Sequence, residues 1–206
     1  MNIDDRDNIM LIFDKNYGRI TNLLKIYKQL DDNKGRGRRP THNLDILRTS
    51  VVFTHSTLED YLRNILTIKL PTSDAITLNN IPLIGTSENG RKTKFDLGDL
   101  VALKELKVEK VIEISVKEYL NYISFNDTND ISAHLKKISI DLTPEITELL
   151  PTLNDFIKRR HNIVHNADRE FEIRRGNHTI KSINYNKVLK WQKTLDLFVN
   201  KVNIQL

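Results

Sequence analysis

The sequence predicts an all-α fold, a helical bundle with long N-terminal and C-terminal helices filling residues 1–206 as one domain. Three observations predict it. Apolar residues recur every three or four positions over long segments at the start, in the first third and at the end of the chain. Seven glycines and five prolines leave few breakers in 206 residues. Alternation of apolar and polar residues, the mark of a strand, is confined to residues 171–183, where a small hairpin around Gly176 and Asn177 is expected.

The elements follow in order. Residues 5–31 carry Ile9, Phe13, Tyr17, Ile20, Leu24 and Tyr27 on one helical stripe. The helix ends at "DDNKGRGRRP", where two glycines and Pro40 predict a loop over 32–40. Residues 43–70 form a second long helix, with Leu44, Leu47, Val51, Leu58, Leu62 and Ile65 facing inward and Pro71 ending it. Residues 71–94 read as loop. Asp96 is placed to cap a short helix in "DLGDLVALKEL", and further helices are expected at 108–123 and 129–139, the latter after capping residues in "SFNDTND". Thr143 and Pro144 form a cap and first helical position. A separate helix is expected from about Pro151 to 166. The last helix, 185–203, repeats Val188, Trp191, Leu195, Phe198 and Val202.

Composition narrows the class. Hydrophobic residues at 39% and charged residues at 29% fit a globular chain rather than a disordered one. The absence of cysteine excludes disulfides and thiolate metal sites. No apolar run reaches transmembrane length, and "MNIDDRDNIM" is acidic where a signal peptide is basic. The expectation is a soluble cytoplasmic protein with no membrane partner. The net charge of +5 is compatible with a polyanion as partner. Lys34, Arg36, Arg38 and Arg39 in the loop, with Arg48 beyond, are candidate phosphate contacts, although charge runs are more often solvated surface.

The chemistry concentrates in "KRRHNIVHNAD", residues 158–168. On a helical wheel Leu149, Leu153, Phe156, Ile157, Ile163 and Val164 form an apolar face, and Arg160 falls at its centre. A guanidinium keeps its proton, so burial there requires an anionic or acceptor-rich partner. The alternative is an arginine at the core edge that carries its head to water. His161 and His165 are four apart on one flank, a spacing that suits zinc. The zincin pattern wants Glu directly after the first His, and Asn162 stands there instead. A chemistry without metal also fits. Cleaving RNA through its own 2′-OH needs a proton taken, a proton given and positive charge on the phosphorane. Histidine can do either proton transfer, and arginine suits the phosphate.

"RHNIVH", residues 160–165, resembles the signature of HEPN-domain proteins: Arg, four to six residues, then His, with Asn, Asp or His directly after the Arg. "FTHSTLEDYLRNIL" (53–66) looks like the family's earlier helix, and "KFDLGDLVALKEL" (94–106) and "YISFNDTNDISAHL" (122–135) are similar to segments of its RiboL-PSP branch. The resemblance spans about residues 40–200. It implies a metal-independent endoribonuclease of prokaryotic toxin or antiphage systems, acting by 2′-OH transesterification at an Arg-x4-His motif in a homodimer cleft. It implies no cofactor. RNA, such as tRNA or mRNA, is the implied substrate, and an antitoxin or defence-system protein a further partner.

Arg160 and His165 are then the central catalytic candidates, with His161, Asn162 and Glu59 in support. Glu59 flanks its apolar stripe, sits one turn after His55, and is the candidate partner for Arg160. Arg159 offers a second register with five intervening residues and is a tentative RNA contact. Asn166 is expected to cap the helix C-terminus in left-handed geometry. On an ideal helix Arg160 and His165 lie about 140° apart and do not share a face. A non-catalytic helical module that binds RNA or protein is the alternative reading.

Overall fold

The computed structural model describes residues 1–32, 41–84, 97–170 and 179–206. Seven α-helices order the described chain: α1 (Ile3–Asp32), α2 (Thr41–Lys69), α3 (Ala75–Leu78), α4 (Val108–Tyr122), α5 (Thr128–Lys137), α6 (Pro144–Asn166) and α7 (Tyr185–Asn203). Short 3-10 turns cover Leu70–Thr72 and Leu97–Leu103. The all-α expectation holds. Among the described residues strand pairing is limited to an isolated antiparallel bridge between Arg169 and Ile180. Residues 171–178 of the expected hairpin lie outside the described residues, as do Lys34, Arg36, Arg38, Arg39 and Asp96.

Local chemistry sets the helix ends. Asn2 Oδ1 accepts from the Asp5 N–H at 2.7 Å, and Asp4 and Asp5 complement the positive end of the α1 dipole. Asp127 caps α5, Asn184 caps α7, and Thr143 caps α6 with Pro144 in the first turn. Instead of two pieces, α6 is one helix with Pro151 inside it. Pro151 is exposed, and the residues around it bury Ile146, Leu153, Phe156 and Ile157, so packing outweighs the lost backbone bond. α5 stops at Lys137, where Ser139 takes a positive φ of 60°.

The centre of the bundle is α2, which packs against α1, α4, α6 and α7. Leu47, Val51, Leu58, Tyr61, Leu62 and Ile65 of α2 are at most 1% exposed. Its buried serine and threonine hydroxyls are satisfied within the helix: Ser50 donates to the Ile46 carbonyl, Thr54 to Ser50 and Thr57 to Phe53. Asp60 accepts from Asn16 of α1 and Tyr61 donates to the Val199 carbonyl of α7, while Arg48, His55, Glu59 and Arg63 reach α6 and the segments beside it.

Candidate functional site

Three side chains on successive turns of α2 hold the turn between α4 and α5. Arg63 donates through both terminal nitrogens to the Leu120 and Ile123 carbonyls, tying off the end of α4. Its guanidinium also lies over the Phe125 ring at 5.5 Å. Glu59 accepts from the Phe125 N–H at 3.4 Å. His55 Nε2 stands 3.2 Å from the Phe125 carbonyl. A carbonyl only accepts, so this nitrogen carries the proton and Nδ1 is the bare one. Burial holds His55 well below the usual imidazole range, at about 4, with Arg160 pushing the same way and Glu59 opposing. His55 is therefore neutral near pH 7, and its Nδ1, 3.6 Å from Glu59 Oε2, makes no hydrogen bond.

The anchored turn presents Asn126 to α6. Arg160 donates from one terminal nitrogen to Asn126 Oδ1 at 3.1 Å, while its other terminal nitrogen lies 3.8 Å from Glu59 Oε2. The expected Glu59–Arg160 pairing is present as an ion pair without a close hydrogen bond. The Arg160 side chain is 18% exposed, so both sequence readings are partly met: a carboxylate faces it, and its head reaches the surface. It is not at the middle of a buried face. Val164 is 51% exposed and Ile163 only half-buried, because the last turns of α6 extend past the core.

Arg159, the neighbouring arginine, has a different environment. One of its terminal nitrogens donates to Asp168 Oδ2 at 2.7 Å and lies within hydrogen-bonding distance of the Lys181 and Ser182 carbonyls. Arg48 donates to the same Asp168 oxygen at 2.7 Å, to Asp45 and to the Lys181 carbonyl. Asp168 itself is fully buried. Arg159 and Arg48, expected as phosphate contacts, thus each donate to a buried carboxylate. Asn162 belongs to the same cluster. It is buried, its amide donates to Asp168 Oδ1, and its own Oδ1 accepts from Asn166. It lies behind the site rather than in it.

Ala167 and Asp168, with φ of 49° and 59°, make the left-handed exit from α6, and both their N–H groups return to the Asn162 carbonyl. Asn166, expected in that geometry, is instead the last helical residue. Its amide reaches back to Asn162.

His161 and His165 are both exposed, with ring centroids 4.5 Å apart and planes inclined by 43°. The site is thus a guanidinium at the surface, aimed from below by Glu59 and Asn126, with a histidine pair on the adjoining flank of the same helix turns. Among the described residues no three His, Cys, Asp or Glu side chains are grouped to share a metal ion. No described helix is long and apolar enough to cross a membrane.

Asn126, Arg63 and the hub role of Asp168 are absent from the sequence reading. "SFNDTND" signals a turn but not which Asn faces α6. Nothing in the spacing brings Arg48 to Asp168 from 120 residues away.

The family model described as RiboL-PSP-HEPN matches residues 14–206. Comparison with curated proteins and with solved structures gives no match.

Proposed function

Because the chain belongs to the RiboL-PSP-HEPN family, whose HEPN domain points to a nuclease or RNA-binding role, we propose that it is a metal-independent endoribonuclease. The observation that carries this reading is the contrast between its two adjacent arginines. Arg159 is bound to a buried carboxylate at 2.7 Å. Arg160 is held by a neutral amide and a carboxylate at 3.8 Å, and keeps donors for a phosphate at the surface.

In this reading Arg160 stabilises the charge that grows on the phosphorane. One histidine of the His161/His165 set takes the 2′-OH proton, and another returns a proton to the departing 5′-oxygen. The products are a 2′,3′-cyclic phosphate and a free 5′-OH. Glu59 and Asn126 are positioning residues that aim Arg160. Asn162 supports the helix end from behind. A homodimer with the two α6 surfaces facing each other would supply a second set of imidazoles and cover Val164. A role as a prokaryotic toxin or antiphage effector, acting on tRNA or mRNA and controlled by a partner protein, extends the same reading.

The test is incubation of the purified chain with total RNA, with end-group analysis. Cleavage is expected to survive EDTA and leave cyclic or 3′-phosphate ends. Arg160→Ala and His165→Ala are expected to abolish it while thermal unfolding is nearly unchanged. Cleavage that disappears on chelation refutes the metal-free mechanism. Salt-dependent RNA binding without cleavage, indifferent to His165→Ala, favours the binding module instead.

A further inference from the structure

We propose that His161 and His165 form a two-histidine chelate for a late divalent transition-metal ion, and that its occupancy switches off the cleavage site. The second half rests on the function proposed above; the first does not.

Geometry carries the chelate. Two imidazoles bound cis to one ion, each at about 2.0–2.1 Å from nitrogen to metal, place their ring centres roughly 4.5–5 Å apart. The ring centroids of His161 and His165 are 4.5 Å apart, on the i, i+4 spacing that helical metal sites use. Both side chains are exposed, and neither ring makes a hydrogen bond within the described residues, so nitrogen lone pairs are open to an ion from solvent.

The described buried histidines contrast with this pair. His55 and His134 are each tied to a backbone carbonyl inside the core. The turn that carries the pair is also fixed. Asn162, between them in sequence, is buried and pinned to Asp168, and its carbonyl receives the two N–H groups that close the helix. Little ordering of the backbone remains for an ion to impose.

Ligand chemistry selects the ion. Neutral imidazoles favour Ni2+, Cu2+ and Zn2+ in the usual affinity order, whereas Mg2+ and Ca2+ want oxygen ligands. A near-90° cis pair of imidazoles has its ring centres about 4.5 Å apart, the separation found here, and that angle suits the octahedral or tetragonal preference of Ni2+ and Cu2+. With only two protein ligands, water fills the remaining positions and the ion exchanges freely. It would act as a reversible ligand rather than a resident cofactor. Occupancy ties up the lone pairs that proton transfer requires and sets a divalent charge beside the Arg160 phosphate site.

The experiment is calorimetric titration of the tag-free, full-length chain with NiCl2, alongside His161→Ala, His165→Ala and His165→Cys. Both rings are exposed, so the variants are expected to fold, as circular dichroism checks. Saturable binding by the wild type is expected. Either alanine variant should weaken it by about 10²-fold, the loss of one arm of a short chelate. His165→Cys keeps a metal-binding side chain and should retain binding.

RNA cleavage measured over the same Ni2+ range should fall with the same half-saturation and recover on EDTA. No saturable binding, or binding unchanged in both alanine variants, overturns the chelate. A saturated chelate with undiminished cleavage overturns the switch. Intact RNA in the metal-free reaction, with Ni2+ binding as expected, overturns the ribonuclease reading and the switch with it, and leaves the chelate standing.

Discussion

Replacing Asp168 with Asn keeps the shape of the side chain and its tolerance of left-handed geometry, and takes away the charge between Arg48 and Arg159. Asp168 is fully buried, and the two guanidiniums, 10% and 15% exposed at the side chain, each donate to it at 2.7 Å. Removing one partner of a buried ion pair costs about 3–5 kcal/mol, because the remaining charge stays desolvated. Here two arginines are stranded. The effect is partly relieved, since Arg48 keeps Asp45 and the Lys181 carbonyl while Arg159 keeps the Lys181 and Ser182 carbonyls.

The expected loss stays near that range, about 3–5 kcal/mol. For a chain of this size it corresponds to a fall in melting temperature of roughly 6–20 °C. Urea unfolding followed by circular dichroism measures it, with the slope checked for two-state behaviour. Arg159→Met, which leaves Asp168 paired to Arg48, should cost less, about 1.5–3 kcal/mol, the worth of a charged hydrogen bond. Asp168→Asn within 1 kcal/mol of wild type refutes the charge hub.

The pH dependence of stability has a sign fixed by His55. Its folded value, about 4, lies below the unfolded value near 6.5, so the unfolded chain binds more protons between them. Stability should be full above about pH 6.5 and fall as pH drops toward 4, by about 3 kcal/mol from this residue alone. His134, lowered in the same direction mainly by burial, adds to the slope. His55→Gln, whose amide can still donate to the Phe125 carbonyl without titrating, should flatten unfolding free energies measured between pH 6.5 and 5; an unchanged slope removes His55 as the cause. Pro151→Ala restores a helical N–H at an exposed position and should stabilise by about 2 kcal/mol, after the gain in unfolded-state freedom is subtracted; a lower melting temperature refutes that. Arg160→Lys keeps the charge and loses the fork, so cleavage should fall at least about ten-fold with folding intact; unchanged kcat/KM would show that only the charge matters.

Much of the fold is legible because helical periodicity is a local signal. The stripes of α1, α2 and α7 stand in the sequence as they stand in the core, and Thr143, Pro144 and the polar run before α5 mark real helix starts. The merging of two expected helices into α6 was not legible. A proline reads as a boundary unless the burial on both sides of it is known, and Ile146, Leu153 and Phe156 supply that only in three dimensions. The site divides in the same way. The adjacency of His161 and His165 follows from their spacing alone, and Glu59 could be named as partner to Arg160 because it flanks an apolar stripe. Asn126, Asp168 and Arg48 owe their places to long-range packing. No spacing rule joins residue 48 to residue 168.

The wheel reading erred on Arg160 for a physical reason that also explains the site. A helical wheel treats every turn of a helix as equally buried, and α6 runs beyond the core at its C-terminal end. There the apolar stripe of Ile163 and Val164 comes out toward solvent. Two arginines stand at that margin with side chains 15% and 18% exposed, and they differ in their partners. Asp168 takes Arg159, together with Arg48. Glu59 faces Arg160, but its carboxylate is shared with the Phe125 N–H and lies near His55, and it stays 3.8 Å away. A carboxylate at that range orients a guanidinium without capping it. Arg160 is therefore the arginine of this margin whose counter-ion stands back, and it lies on the same turns of α6 as the exposed imidazoles.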